Sequence, residues 1–305
     1  QSNRKYLVNR TRETLGLLYA MHWPYRQYET ARGARRSPIH DRLIDHGAVM
    51  GELAGWERPN WFVRGNNNAN YEYSYGKQNW FDACHEECLA LKDKVALFDQ
   101  SSYPVFYLDG AEALTTLNHI CANNVDVNAG QVVYTQWLNE RGGIEADVTV
   151  TRISDSRFMI VSSCASEGRD FQWLTSHIDS ETHVFATNAG SAVTMLGIMG
   201  PLSRDLLSGL TPDDISDAAL PYYQSRELEI GYARVRVNRL SYVGELGYEL
   251  YIPTEFAQHV YEEILRVGST FGLAHAGYHA MNACRMEKGY RHFGDDIGDE
   301  ITPYS

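Results

Sequence analysis

An α+β fold is what this sequence predicts, and three observations carry the expectation. From about residue 94 onward, short β-branched and aromatic runs alternate with stretches of helical spacing. The strand runs are joined by hairpin turns rather than by the helical crossovers of a parallel βαβ unit. No GxGxxG follows a strand anywhere, which excludes a dinucleotide-binding domain of the Rossmann type from this chain.

The elements begin with a helical pattern through Asn9 to Leu18. Residues 1–65 otherwise carry little period-two alternation and many Arg, Pro and His. They read as irregular, extended chain through Arg35–Pro38 and Gly55–Trp61. A polar loop follows from Gly65 to Gly76, with Asn66, Asn67, Asn68 and Asn70. Trp80 to Leu91 has helical spacing. Val105–Leu108 reads as a strand ending in the turn Asp109–Gly110, and Ala111–Cys121 as a helix. Val132–Leu138 and Ala146–Thr151 flank Asn139–Gly143, the signature of a hairpin. Phe158–Val161 supplies a third strand, followed by a helix over Gly168–His177. After Pro201 a second set of similar order appears: a helix, strands over 227–240 and 247–252, and a helix over Phe256–Val267. The shared order suggests an internal repeat, although no residue-level repeat is visible.

At 305 residues the chain is long enough for two compact domains or one large one. A net charge of -12 argues against a nucleic-acid partner, which would call for a basic face. The 20 Tyr and 6 Trp suit a pocket for a flat ligand, and they equally fill cores. No run of about 18 apolar residues exists, so no membrane span is predicted. Gln1 opens a polar, basic stretch unlike a signal peptide. The cysteines are Cys84, Cys88, Cys121, Cys164 and Cys284. An odd count without a CxxC pair fits reduced thiols, in the cytoplasm of a bacterium or the mitochondrial matrix of a eukaryote. Cys84 and Cys88, and likewise His275 and His279, stand four apart with nothing to complete a ligand set, so no metal site is predicted.

Six blocks in order resemble the glycine-cleavage T-protein (aminomethyltransferase) family, and more closely the dimethylglycine and sarcosine dehydrogenases. They are Gly16–Pro24, Gly55–Phe62, Leu97–Ser102, Val133–Trp137 through Gly142–Asp147, Ser241–Glu249, and Arg285–Gly289 through Gly294–Ile297. The first two are expected in a segment that joins flavin and folate halves and that lone T-proteins lack. The resemblance implies a T-protein-like folate-binding fold behind an N-terminal linker segment. It divides the chain into a central joining segment over 1–65 and an aminomethyltransferase-like domain over 66–305. That domain is expected to be truncated, with the family's C-terminal β-barrel missing and an FAD-binding domain absent in front.

The resemblance also names residues. Asp147 matches the catalytic aspartate of the Gly-Gly-x-x-x-Asp motif, which contacts the reactive nitrogen of tetrahydrofolate. A fixed carboxylate there can position the amine, take its proton and stabilise a cation; the alternative is a cap on the turn after Gly142–Gly143. Glu245 matches a glutamate that accepts the pterin's amino and ring N–H donors, a pair that a carboxylate meets bidentately; the alternative is an exposed turn residue. Tyr242 is expected against the pterin ring. Tyr134 is either a wall for the aminobenzoyl ring or a core tyrosine. Arg285 either meets a folate carboxylate or forms a structural salt bridge to Glu287 or Asp295. Asp99 is expected to order a turn. Ser163 stands where T-proteins carry an asparagine: either it replaces that pterin contact or the contact is lost. Leu196–Pro201 departs from the usual Leu-Gln-Gly-Pro, a structural change.

The implied function is one-carbon transfer. A flavin domain in the same full-length chain would oxidise an N-methyl amine to an iminium, and this piece would capture the carbon as 5,10-methylenetetrahydrofolate. Two other readings are a stand-alone folate-dependent aminomethyltransferase or demethylase, and a non-catalytic regulatory subunit like that of pyruvate dehydrogenase phosphatase.

Overall fold

The computed structural model describes residues 3–63, 65 and 68–305; Asn66 and Asn67 of the polar loop lie outside them. Helix α1 spans Arg4–Gly16, started by the Asn3 side chain, which accepts from the Tyr6 N–H at 3.1 Å. Helix α2 (His40–Asp45) leads into a feature the sequence did not announce. Strands β1 (Ala48–Leu53) and β2 (Trp56–Phe62) form an antiparallel hairpin where irregular chain was expected. Its turn, Ala54–Gly55, has φ of 51° and 85° at both central positions, the geometry of a primed hairpin turn. Three things hide its periodicity: β2 is buried on both faces, it carries Pro59, and the register slips between Val49 and Met50.

Helix α3 (Phe81–Asp93) and strand β3 (Ala96–Asp99) follow. A run of strands and helices then builds the first sheet: β4 (Val105–Gly110), α4 (Ala113–Ile120), β5 (Val132–Leu138), β6 (Ile144–Ser154), β7 (Arg157–Val161), α5 (Glu167–Ser176) and β8 (Val184–Asn188). The second comprises β9 (Val193–Met199), α6 (Ser203–Ser208), β10 (Ser225–Ile230), β11 (Ala233–Asn238), β12 (Gly247–Pro253), α7 (Ala257–Gly268), β13 (Ala274–His275) and α8 (Tyr278–Glu287). The strand expected over 227–240 is thus two, folded back at Gly231 with φ 57°. Strands β8 and β9 and helix α8 were not expected.

One sheet runs β5-β6-β7-β4-β8, the other β10-β11-β12-β9-β3-β13, and neither closes into a barrel. Pairing is antiparallel except between β13 and β3. The halves therefore interleave: β3 precedes the first sheet in sequence yet pairs in the second. Each sheet buries one face under helices. Trp137, Val148, Val150 and Ile160 pack with Leu117 of α4 and Leu174 of α5. Leu196, Ile198, Val235 and Leu250 pack with Leu206 of α6 and Ile264 of α7. Each such side chain contributes about 1.5–3 kcal/mol by leaving water. The two remaining faces meet through Val105, Met159, Val161, Met195 and Tyr251. Across that seam Asn238 donates to Thr151 Oγ1 at 3.0 Å.

The hairpin is tied in by one carboxylate. Glu87 of α3 is fully buried and accepts the Phe62 N–H at 2.8 Å and the Gly277 N–H at 2.9 Å. It thereby joins β2, α3 and the start of α8.

Candidate functional site

Strand β6 places its side chains by simple alternation. Ala146, Val148 and Val150 enter the core under the helices, so Asp147 and Thr149 face the other way, into the seam. There the sheets part around a cavity of about 360 Å³, within the range of small-molecule sites. Gln136 stands directly across from Asp147, and Tyr134 across from Thr149. Gln136 Nε2 donates to Asp147 Oδ1 at 2.9 Å, and the Tyr134 hydroxyl also bonds this carboxylate. Burial pushes the Asp147 carboxyl up to about 6, with the two hydrogen bonds opposing that rise. Asp147 does not cap the preceding turn. Asn139 does that, its Oδ1 accepting from the Arg141 and Gly143 N–H groups at 3.0 Å each.

Asp147, Tyr134, Tyr242 and Ser163 all line this one cavity. Tyr242 donates to the Arg291 carbonyl at 2.7 Å, and its ring stacks with Tyr290 at 6.3 Å. Burial raises the Tyr134 and Tyr242 hydroxyls above their ordinary range, so these two stay protonated. Ser163 precedes the short turn Cys164–Ser166, whose geometry is held by the neighbouring Ser162 and Ser166 hydroxyls on Asp170.

Glu245 and Arg285 stand elsewhere. Glu245 lines an adjoining cleft of about 220 Å³ that shares Tyr222, Ser241 and Tyr290 with the main cavity. Its carboxylate lies 3.4 Å from Lys288 Nζ. Arg285 is buried behind the wall rather than in it. It donates to Asn282 Oδ1 at 2.8 Å and to the Tyr290 carbonyl at 3.0 Å, and pairs with Asp296. Neither salt-bridge partner expected of it takes part: Glu287 pairs with Lys92 at 2.8 Å, and Asp295 lies 3.2 Å from His292 Nδ1. Arg285 thus fixes the segment 289–296, whose first five residues line the cavity. Asp99 accepts from Ser37 Oγ at 2.6 Å and from the Ser101 N–H at 3.0 Å, ordering the chain after β3.

Two lining residues were not singled out from the sequence. Glu249 of β12 is buried, accepts from the Tyr251 hydroxyl at 2.7 Å, and is pushed up to about 7 by burial. A glutamate inside the apolar run Gly247–Ile252 was the available signal, since a buried acid needs a partner or a purpose. Gln100 is also buried, and its Oε1 has no hydrogen-bond partner among the described residues. All five cysteines are free, and Cys88 of α3 neighbours Cys284 of α8.

The sequence profile of the GCVT N-terminal domain matches residues 39–305. The chain belongs to this family. A second profile, the FAD dependent oxidoreductase central domain, matches residues 1–37. The block Gly55–Phe62 falls inside the first match and Gly16–Pro24 inside the second. Over 305 residues the chain is 43% identical to 4-methylaminobutanoate oxidase (formaldehyde-forming) of Paenarthrobacter nicotinovorans, covering 100% of this chain and 37% of that protein. It is 33% identical to the mitochondrial pyruvate dehydrogenase phosphatase regulatory subunit of Mus musculus, covering 99% and 35%. It is 31% identical to human mitochondrial sarcosine dehydrogenase, covering 98% and 37%. The chain thus spans little more than a third of these relatives. In fold, it matches the glycine cleavage system aminomethyltransferase T from Bartonella henselae with a TM-score of 0.75 at 24% identity, over 89% of this chain and 67% of that one. This confirms the expected T-protein-like architecture. No helix among the described residues is long and apolar enough to cross a membrane.

Proposed function

We propose that the chain is the tetrahydrofolate-binding, one-carbon-transfer part of a longer FAD-dependent N-methyl amine dehydrogenase. In it the joining segment over 1–65 leads from the flavin part to the folate-binding part. The observation that carries the reading is Asp147, a carboxylate pushed up to about 6 on the floor of a cavity walled by Tyr103, Tyr134 and Tyr242. The donor set fits a reduced pterin. Flat aromatic walls suit its rings, and the buried Glu249 and the unpartnered Gln100 Oε1 offer acceptors to its N–H groups. We assign the bidentate acceptor role to Glu249 in place of Glu245, because Glu249 faces the same cavity as Asp147.

Tetrahydrofolate, when bound, supplies the nucleophilic amine that takes up the one-carbon unit as 5,10-methylenetetrahydrofolate. Asp147 is predominantly ionised at pH 7 and can accept a proton at its free oxygen while Gln136 and Tyr134 hold its orientation. The same charge favours a cationic one-carbon donor.

In the full-length protein, calorimetry should show tetrahydrofolate binding that Glu249→Gln weakens about tenfold or more. Glu245→Ala should leave it within about twofold. Asp147→Ala should keep amine oxidation intact while free formaldehyde replaces 5,10-methylenetetrahydrofolate as product. Normal formation of the folate product by this variant would remove Asp147 from the chemistry. The likeness to a phosphatase regulatory subunit supports a non-catalytic second reading. On that reading wild-type protein binds no tetrahydrofolate.

A further inference from the structure

Helices α3 and α8 lie side by side and run the same way, and three contacts fix their register. At the start of α8 the Gly277 N–H donates to Glu87 at 2.9 Å. Further along, Cys88 Sγ donates to the Ala280 carbonyl at 3.9 Å, and near the end Lys92 Nζ meets Glu287 at 2.8 Å. Within a helix the Ala280 carbonyl is the acceptor for the Cys284 N–H, so Cys88 and Cys284 stand at one level of the helix pair. Cys88 packs against the cluster that holds Leu91, Met281 and Cys284, and the two thiols share a hydrogen bond.

The other cysteines are placed differently. Cys84, one turn earlier on α3, packs against the cluster of Val49, Trp61 and Trp80. Cys164 Sγ donates to the Leu53 carbonyl at 3.8 Å, and Cys121 neighbours Trp137 and Thr135. Burial pushes all three of these thiols up. Within the pair the two sulfurs are unequal. Cys88 is half-buried, and its hydrogen bond with Cys284 draws it below the usual thiol range, while the same bond pushes the buried Cys284 up. A reachable, more acidic thiol backed by a sheltered second one is the arrangement of an attacking and a resolving cysteine.

We propose that Cys88 and Cys284 form a reversible disulfide when the protein meets a hydroperoxide, linking α3 to α8 and tightening the fold. The Cys88 thiolate attacks one oxygen of hydrogen peroxide, breaking the O–O bond and releasing hydroxide, which takes up the proton that Cys88 gave up. The Cys284 sulfur then attacks the sulfenic sulfur of Cys88. The S–S bond forms as the S–O bond breaks, and water leaves with the Cys284 proton. Two thiols have together lost two electrons, and the peroxide has become two waters. A dithiol reverses the step by exchange. The link closes a loop over residues 88–284 that contains both sheets, and it pins the helix from which Arg285 holds the segment 289–296. The inference is independent of what the cavity binds.

The test treats the full-length protein with hydrogen peroxide, blocks free thiols with N-ethylmaleimide in denaturant, and maps tryptic peptides by mass without reductant. The expected product joins peptide 78–92 to peptide 267–285, with fragment ions placing the bond on Cys88 rather than Cys84, and it disappears after dithiothreitol. Cys284→Ser should instead leave Cys88 as a sulfenic acid that dimedone captures. The linked protein should unfold at a higher urea concentration than the reduced one. Maleimide on both Cys88 and Cys284 after peroxide would overturn the proposal, as would a bond from Cys84 or Cys88 found as sulfinic acid beside a free Cys284. A urea midpoint that does not rise would overturn the tightening. The wild-type map decides the site even where Cys284→Ser fails to fold.

Discussion

Asp147 and Glu249 are kept ionisable where ionisation is unfavourable, and that has a measurable cost. Both carboxyls titrate higher in the folded chain, at about 6 and about 7, than a carboxyl does in an unfolded one. Between those limits the folded state binds more protons than the unfolded state. Stability is therefore greatest below about pH 4 as far as these two groups are concerned, and it falls as pH rises through their folded values. Glu249→Gln keeps an acceptor for Tyr251 and removes the penalty. It should stabilise the protein by about 2–3 kcal/mol at pH 8, with no gain near pH 4, in urea unfolding series at the two pH values. In a full-length assay, the acid limb of one-carbon capture should sit near the Asp147 value, about 6. Asp147 could be picked from the sequence because it matches the Gly-Gly-x-x-x-Asp motif of the family that the chain resembles; the hairpin alone pointed rather to a turn cap. Glu249 lies seven residues beyond Tyr242 in a motif already in view. Only the sheet shows that Glu249 lines the same cavity as Asp147, with Glu245 in the adjoining cleft.

The elements most easily read were those with one buried face. The hairpin β5–β6 and the helices α3 and α7 all emerged from periodicity, since solvent on one side imposes alternation. Strands β2 and β9 did not, because both are buried on two sides and lose the polar half of the pattern. Helix α8 was read only as a motif, although its last turn carries Arg285 and so governs the cavity wall. Arg285→Met should cost about 1–3 kcal/mol in urea unfolding, from the loss of its charge-assisted bonds. It should also speed tryptic cleavage after the exposed Arg291, while cleavage elsewhere stays unchanged. Equal cleavage rates would mean that segment 289–296 is held by something other than Arg285.

At the scale of the molecule, the β1–β2 hairpin and the two sheets form one body through close backbone approaches. One such approach is at Gly277, where a Cβ would lie 2.2 Å from the carbonyl carbon and oxygen of Asn60. Gly277→Ala should therefore destabilise by about 1–3 kcal/mol through forced separation of α8 from β2, visible as a lowered midpoint in thermal unfolding. The fold class and helix-covered faces were legible in the sequence because they follow from local patterns. The interleaving of β3 and β13 into the second sheet was not, since it is decided by contacts between residues far apart in the chain. That interleaving has a consequence for how the protein comes into being. The walls of the cavity run from Gln100 to Phe293, so no ribosome-bound intermediate short of nearly the whole chain can possess it. Synthesis leaves the inner faces of both sheets without part of their cover until the last wall arrives.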